Sequence, residues 1–427
     1  MASLARLDII LAMGAFSLLY NHLRVFKNIL VHPTQEMNDP DGAFFRGGPQ
    51  WPHFKTQIFV RHCCGAIARP IDAAPLPALP EWPYYDPQLF LQQPWARPPE
   101  RLEKGIAALA HAHAPLSERP IETADEGIWC GPIIMHFGHM IHVHGMRIAA
   151  SSRVDQATPL VFSLMPLRTV DPPSYFWQII DHLGIDRGRV MVVRKPTRFR
   201  RLSVLPQAER EFGGGPSSRH LRLMDEIAEP SAPSKRDLDC VYVSRAQLPD
   251  GRFAGEGYLD EVLTAAGVTV FYPETVDVHA QLHLYRRARR LIFSEGSAMH
   301  ALQLLGHLDS DVAILARRPG YRLAAANLRP RARSLRYLQA AGGLIPAMSP
   351  SGRVIRRAGM SVLDGRACIA GFRSVGVELA SLWDPQAYAE RRDADIAAWM
   401  THRRAAGPHP DAEAFIHRHL RALNLPA

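Results

Sequence analysis

From Cys240 to Ala316 the chain alternates short apolar runs with amphipathic stretches, and few folds accept that alternation. Residues 240–244 (CVYVS), 268–272 (VTVFY), 291–293 and 311–316 (DVAILA) read as strands. Helices are expected over 256–266, closed by Gly267, over 278–288, and from about Ser297 onward. Strands that are apolar along their whole length are buried on both faces, which requires a parallel sheet with helices on each side. Ligands of such sheets lie at the carboxyl ends of the strands. The expectation is an α/β, Rossmann-like domain over 236–335.

The first half alternates less clearly. A helix is expected over 133–150, a strand over 160–164 (LVFSL), a helix over 175–183 ending before Gly184, and a strand over 189–195 (RVMVVRK). A second Rossmann-like domain over 1–215 follows. Within it, nine prolines between Pro70 and Pro99 are interleaved with Trp82, Tyr84, Tyr85 and Trp95. Proline fixes φ and removes donors, so 70–99 reads as an extended insertion. Gly213 to Pro216 and the run EPSAPSK (229–235) place a linker over 216–235. Residues 336–427 form a C-terminal extension, part of which, such as Tyr388 to Arg404, is expected to pack back on the first domain.

With 427 residues, 47 % apolar and 21 % charged, the chain has material for two cores. A net charge of +9 favours anionic partners: a nucleotide diphosphate, an acidic glycan or lipid headgroups. Without a zinc knuckle, an aromatic ribonucleoprotein motif or a basic helix, no nucleic-acid role is expected. The five cysteines are scattered and form no CxxC pair, which speaks against a disulfide framework or a zinc site and fits the cytoplasm. The apolar segment Ile9 to Tyr20 is too short to span a bilayer, which takes about twenty residues. It reads as a buried helix, with peripheral attachment to the inner face of the membrane as the alternative.

Three segments have the residue types of a site. Ser244-Arg245 follows a strand directly, which puts a permanently charged, bidentate phosphate ligand at the sheet's carboxyl edge. Glu295-Gly296-Ser297-Ala298-Met299-His300 turns a strand into a helix through small residues, where backbone N–H groups can meet an anion. There Glu295 would accept bonds from sugar hydroxyls or act as a base. His136, His139 and His142 fall on one helical face. No Cys, Asp or Glu lies among them and the spacing matches no zinc pattern, so no metal is expected. One of these histidines facing a cleft would serve as base or hydrogen-bond partner. The run Arg194, Lys195, Arg198, Arg200 and Arg201 would hold an anionic acceptor or simply be solvated surface.

Taken in order, these segments resemble glycosyltransferase family 61, proteins associated with capsular polysaccharide clusters. His139 and Arg147 match the His and Arg of the family's Asn-x-x-His segment, with His136 in place of the Asn. Ser244-Arg245 matches the Ser-Arg that ends the first strand of its second domain. Glu256 before Tyr258 and Leu259, then Val270 through Pro273 and Glu274, are similar to the next two signatures. Ser294 to Ala298 resembles the family's Gly-Pro-His-Gly-Ala-like turn, with Glu295 where His is common; Val143 replaces a usual acid.

The resemblance implies two Rossmann-like domains facing a cleft (GT-B-like), and an inverting mechanism without an obligatory metal or other cofactor. It implies transfer from a nucleotide-sugar donor to a glycan acceptor in capsular or other surface polysaccharide biosynthesis. Catalysis would fall to His139 or Glu295 as base and to Arg245. The donor would meet Ser244, Arg245, Glu256, Glu295, Gly296, Ser297 and His300; the acceptor would meet His136, Arg147 and Arg198. Two other readings are a catalytically inactive glycan-binding or scaffold relative, and a nucleotide-sugar-modifying enzyme on a similar fold. The absence of GxGxxG after any strand speaks against a nicotinamide cofactor in the latter.

Overall fold

The structure is a computed structural model that describes residues 23–31, 35–36, 58–61, 64–70, 122–164, 171–195, 197–205, 207–209, 215–228, 235–405, 407 and 409–426. The Ile9 to Tyr20 segment and the proline-rich stretch after Pro70 lie outside these residues. The chain divides into two compact units, Met1–Leu223 and Met224–Ala427. The division falls inside a helix, Ser218–Ala228, where the sequence reading has a linker.

The first unit holds β1 (Arg24–Val31), β2 (Gln35–Glu36), β3 (Ile58–Arg61), β4 (Cys64–Pro70), β5 (Glu122–Ile133), β6 (Leu160–Leu164), β7 (Val190–Val193) and β8 (Thr197–Val204). They form one sheet in the order β2-β4-β1-β8-β5-β6-β7, with β3 on β4. β8, β5, β6 and β7 are parallel, whereas β1 pairs antiparallel with β8 and β4. This is an α/β unit with a mixed sheet, parallel from β8 to β7 and antiparallel at β1 and β4. Trp129, Val161, Phe199, Leu202 and Val204 close its core. Helix α1 (Ser174–His182) buries Phe176, Ile179 and Ile180.

Two elements here differ from the sequence reading. Residues 197–204 look like a run of cations, yet Thr197, Phe199, Leu202 and Val204 are buried between exposed arginines, the alternation of a half-buried strand. The helix expected from Ile133 starts only at Phe137, because β5 runs on through a register shift between Trp129 and Gly131, where Gly131 has φ +112°. It then passes through a π turn (Met140–His144) and a 3₁₀ turn (Gly145–Arg147) before ending as α-helix (Ile148–Ser152).

The second unit begins within α2 (Ser218–Ala228) and contains β9 (Leu238–Val243), β10 (Phe253–Ala254), α3 (Glu256–Ala265), β11 (Thr269–Phe271), α4 (Val278–Arg287), β12 (Ala288–Ser294), β13 (Leu308–Leu315), β14 (Ala332–Leu338), β15 (Ala341–Met348) and β16 (Val354–Leu363). Strands β11-β9-β12-β13-β14 form a fully parallel sheet in that order. In chain order the strands read 2-1-3-4-5, the flavodoxin-like doubly wound order, whose direction reverses between the first and third strands. Here that switch point lies between β9 and β12. The apolar runs explain the sheet: Val241 to Val243 and Leu291 to Phe293 are essentially fully buried, as both-faced strands must be.

A small sheet, β10-β16-β15, and helices α5 (Gly365–Arg373), α6 (Pro385–Ala405) and α7 (Ala412–Ala422) complete the unit. Tyr388 to Arg404, the stretch expected to return to the first domain, is bonded within the second unit. The Tyr388 hydroxyl accepts a hydrogen bond from the Leu363 N–H at 2.8 Å. Asp395 accepts from Arg252 at 2.6 and 3.0 Å and from the Gly255 N–H at 2.7 Å. The Trp399 indole donates to Asp250 at 3.0 Å. Tyr388, Ile396 and Trp399 bury their apolar area in the second unit's own clusters, and burial of that kind is what fixes a terminal helix.

Candidate active site

At the switch point the ends of β9, β12 and β13 converge. β9 runs into Ser244 and Arg245, and α3 begins at Glu256 just behind them. Glu256 is fully buried: one carboxylate oxygen accepts from the Tyr242 hydroxyl and the Arg245 N–H, both at 3.0 Å, and the other from the Phe253 N–H at 3.0 Å. It therefore shapes the turn after β9 instead of facing solvent. The Arg245 side chain is half-buried and donates through Nε to the Gly251 carbonyl at 2.7 Å. Burial lowers its pKa, opposed by the charges of Glu256, Glu274 and Glu295.

Gly296 follows β12 and explains why a glycine stands there. Its φ of −178° is ordinary extended backbone, so conformational freedom is not the reason. A methyl group at Gly296 would sit 2.1 Å from Arg245 Nη1 and 2.6 Å from its Cζ. The Arg245 guanidinium thus lies against the bare Gly296 backbone. Ser297 then opens a 3₁₀ helix, Ser297–Leu304, whose start is capped by no side chain.

Glu295 is engaged by the segment after β13. Its carboxylate takes Arg318 Nε at 2.6 Å and the Arg317 N–H at 3.0 Å, while Arg317 Nε donates to the Glu295 carbonyl at 3.0 Å. With 1 % of its surface exposed, Glu295 clips the end of β12 to the segment after β13. His300 is likewise buried, its Nδ1 2.9 Å from Gln303 Oε1.

Two site residues escaped the sequence reading. Arg317 is 3 % exposed, and its Nη1 is buried with no hydrogen-bond partner. A methyl at Gly251 would lie 3.3 Å from Arg245 Nη2 and 3.7 Å from Arg317 Nη2, so the two guanidinium groups flank one point. Burial, and after it the Arg245 charge, pushes the Arg317 pKa down to about 9. Among the described residues neither guanidinium is in an ion pair. Asp260, one turn along α3 from Glu256, accepts from Ser244 Oγ at 2.8 Å and from the Tyr272 hydroxyl at 2.9 Å, and burial pushes it up to about 7. The signal for Asp260 was present: residues i and i+4 share a helix face, so Glu256 and Asp260 stand together beside Leu259 and Leu263.

Asp-x-Asp triplets, the usual carboxylate pair for a divalent cation on a diphosphate, occur at 237/239, 309/311 and 393/395 among the described residues. The first two stand at the amino-terminal ends of β9 and β13, the edge opposite Arg245, and their carboxylates pair with Arg287, Arg290, Arg236 and Arg333. Asp393 pairs with Arg392 and Asp395 with Arg252. No group of three His, Cys, Asp or Glu side chains among the described residues is arranged to hold a metal.

In the first unit, exposed His136 caps the turn after β5: its Nδ1 accepts from the His139 N–H at 3.3 Å, and the two rings stack at 4.2 Å. Half-buried His139 has its Nδ1 3.3 Å from Nε2 of buried His142. Arg147 is fully buried, and burial lowers its pKa to about 10. The basic run lies on the exposed side of β8 and the loop before it. Arg194 pairs with Asp171, Lys195 with Glu122, Arg200 with Asp125 and Arg201 with Glu126, while Arg198 is exposed.

A family model described as Glycosyltransferase 61 matches residues 88–305, just over half of the chain. The chain belongs to glycosyltransferase family 61. As a member of that family it is a glycosyltransferase, acting on a donor and an acceptor. The match takes in the histidine turn of the first unit and, in the second, Ser244-Arg245, Glu256 and the Gly296 turn. It stops short of Arg317, which therefore comes to light only through the structure. No curated protein matches the chain.

Proposed function

We propose that this family 61 glycosyltransferase is an inverting enzyme that moves a sugar from a nucleotide-sugar to a glycan acceptor in the biosynthesis of capsular or other surface polysaccharide. The observation that carries the reading is the Arg245 guanidinium lying on the bare Gly296 backbone at the switch point of a doubly wound sheet. Charge builds on the leaving diphosphate as the glycosidic bond breaks, and a preorganised guanidinium beside helix-start N–H groups stabilises it. In this reading the unit beginning at Met224 binds the donor and the unit ending at Leu223 binds the acceptor.

Inversion needs one base to take the acceptor hydroxyl proton. With the Glu295 carboxylate engaged by Arg317 and Arg318, that role goes to His139, oriented by His142 through the 3.3 Å contact between their rings. The guanidinium charges stand in for a divalent cation. The reaction is placed in the cytoplasm, with Ile9 to Tyr20 as the segment to test for peripheral membrane contact.

The test is an assay of nucleotide-sugars against glycan acceptors, with the anomeric configuration of the product read by NMR. An inverted linkage formed equally with and without EDTA is expected. A retained configuration, or activity lost on chelation and restored by Mn²⁺, contradicts the reading. Donor hydrolysis and transfer both absent across the donors would favour an inactive relative.

A further inference from the structure

We propose that Arg317 supplies a second guanidinium to the anion site formed by Arg245, with its buried Nη1 held ready for a phosphate oxygen. The inference rests on the reading that a diphosphate binds at this switch point. A buried charged donor with no partner is costly, and native structures keep such a group where something else completes it. Arg317 Nη1 is buried and unpartnered, while the same side chain is anchored through Nε to the Glu295 carbonyl at 3.0 Å. The fork is therefore held rigidly by one nitrogen and unspent at another. Its Nη2 and Arg245 Nη2 stand on either side of Gly251, where φ of +67° and the Arg357 carbonyl exclude a larger residue. Two like charges flanking one point repel, which adds to burial in lowering the pKa of Arg317. An anion carrying two or more charges relieves that repulsion and uses the unspent donor.

The anchoring and the anion role predict different outcomes. The experiment takes the full chain and Arg317→Met, Arg317→Lys and Arg245→Ala. It measures the melting temperature without anion, its rise with inorganic pyrophosphate, and pyrophosphate affinity by calorimetry, with inorganic phosphate as the control. Arg317→Met is expected to melt at or above wild type without anion, since it removes a buried unsatisfied charge. It should bind pyrophosphate about 10- to 100-fold more weakly, the usual loss for one charged hydrogen bond. Arg317→Lys should recover part of the binding. Arg317→Met that melts lower than wild type yet binds pyrophosphate equally well would make Arg317 a structural staple and overturn the proposal. Should Arg317→Met both melt lower and bind worse, Arg317→Lys decides. Recovered binding with a low melting temperature supports the anion role, and recovered melting without binding overturns it. Pyrophosphate binding lost in Arg245→Ala but kept in Arg317→Met sinks Arg317 alone; binding kept in both variants removes the diphosphate site and the proposed function with it.

Discussion

The molecule has two collections of arginines that look alike in the sequence and are opposite in physics. On β5 and β8 of the first unit, Arg200 and Arg201 face water beside Asp125 and Glu126 on the neighbouring strand. At the switch point of the second unit, half-buried Arg245 and buried Arg317 are bonded through Nε to backbone carbonyls, not to carboxylates. The first group has its charge neutralised and hydrated, so each pair is worth about 0–1 kcal/mol and holds nothing else. The second has its charge in a less solvated place and outside any ion pair among the described residues, which is costly unless a further group completes it. What separates a binding arginine from a surface one is where its charge is answered.

Substitutions in the two groups should differ in the same way. The largest effect is expected from Arg245→Ala, which should lower turnover about 10²- to 10³-fold with a smaller rise in donor KM. Steady-state kinetics checks it, and unchanged kcat would remove Arg245 from the mechanism. Gly296→Ala comes next. Its methyl would meet Arg245 Nη1 at 2.1 Å, so the guanidinium must move while the fold, extended at 296, does not. A fall of about 10- to 100-fold in kcat with an unaltered melting temperature is expected, as for a small displacement of a catalytic group. Wild-type kinetics in Gly296→Ala would mean that the close approach has no function.

A smaller, pH-dependent effect is expected at Asp260, which burial first and the Glu256 charge second push up to about 7. A folded-state value above the unfolded one means that the folded form holds the proton more tightly. Its stabilising contribution is therefore full below about pH 4, falls as pH rises toward about 7, and is absent above. Asp260→Asn mimics the protonated carboxyl, so it should melt above wild type near pH 8, with the advantage shrinking toward pH 4. A constant difference between the two melting curves across that range would show that Asp260 is not titrating. The smallest effect belongs to the surface: Arg201→Ala and Glu126→Ala should couple by less than about 1 kcal/mol and leave donor kinetics unchanged. A donor KM that responds to Arg201→Ala would dissolve the contrast between the two groups.

How much of this was legible in the sequence depended on whether the signal was local. The strands at 241–243 and 291–293 were readable because burial on both faces forces unbroken apolar runs, and Arg245 and Gly296 follow those runs directly. β8 was not readable as a strand, because its buried Phe199 and Leu202 are outnumbered by the cations pointing to water. The histidine segment kept its helical pattern, but the sequence gives no sign of the π turn at Met140–His144 or of where β5 yields to it. Glu295 looked like a base because it sits beside the turn; its engagement by Arg317 and Arg318 depends on β13 lying next to β12, a non-local fact. Arg317 was missed for the same reason, since nothing in its neighbours separates a buried arginine from an exposed one.

The central claim is that the diphosphate of the donor lies at the switch point between β9 and β12. A crystal structure with the nucleoside diphosphate that most raises the melting temperature tests it most directly. The phosphates are expected against the Arg245 guanidinium and the backbone N–H groups at Gly296 and Ser297. A diphosphate bound instead along the Arg198 to Arg201 face of β8, with the Arg245 site empty, would contradict it.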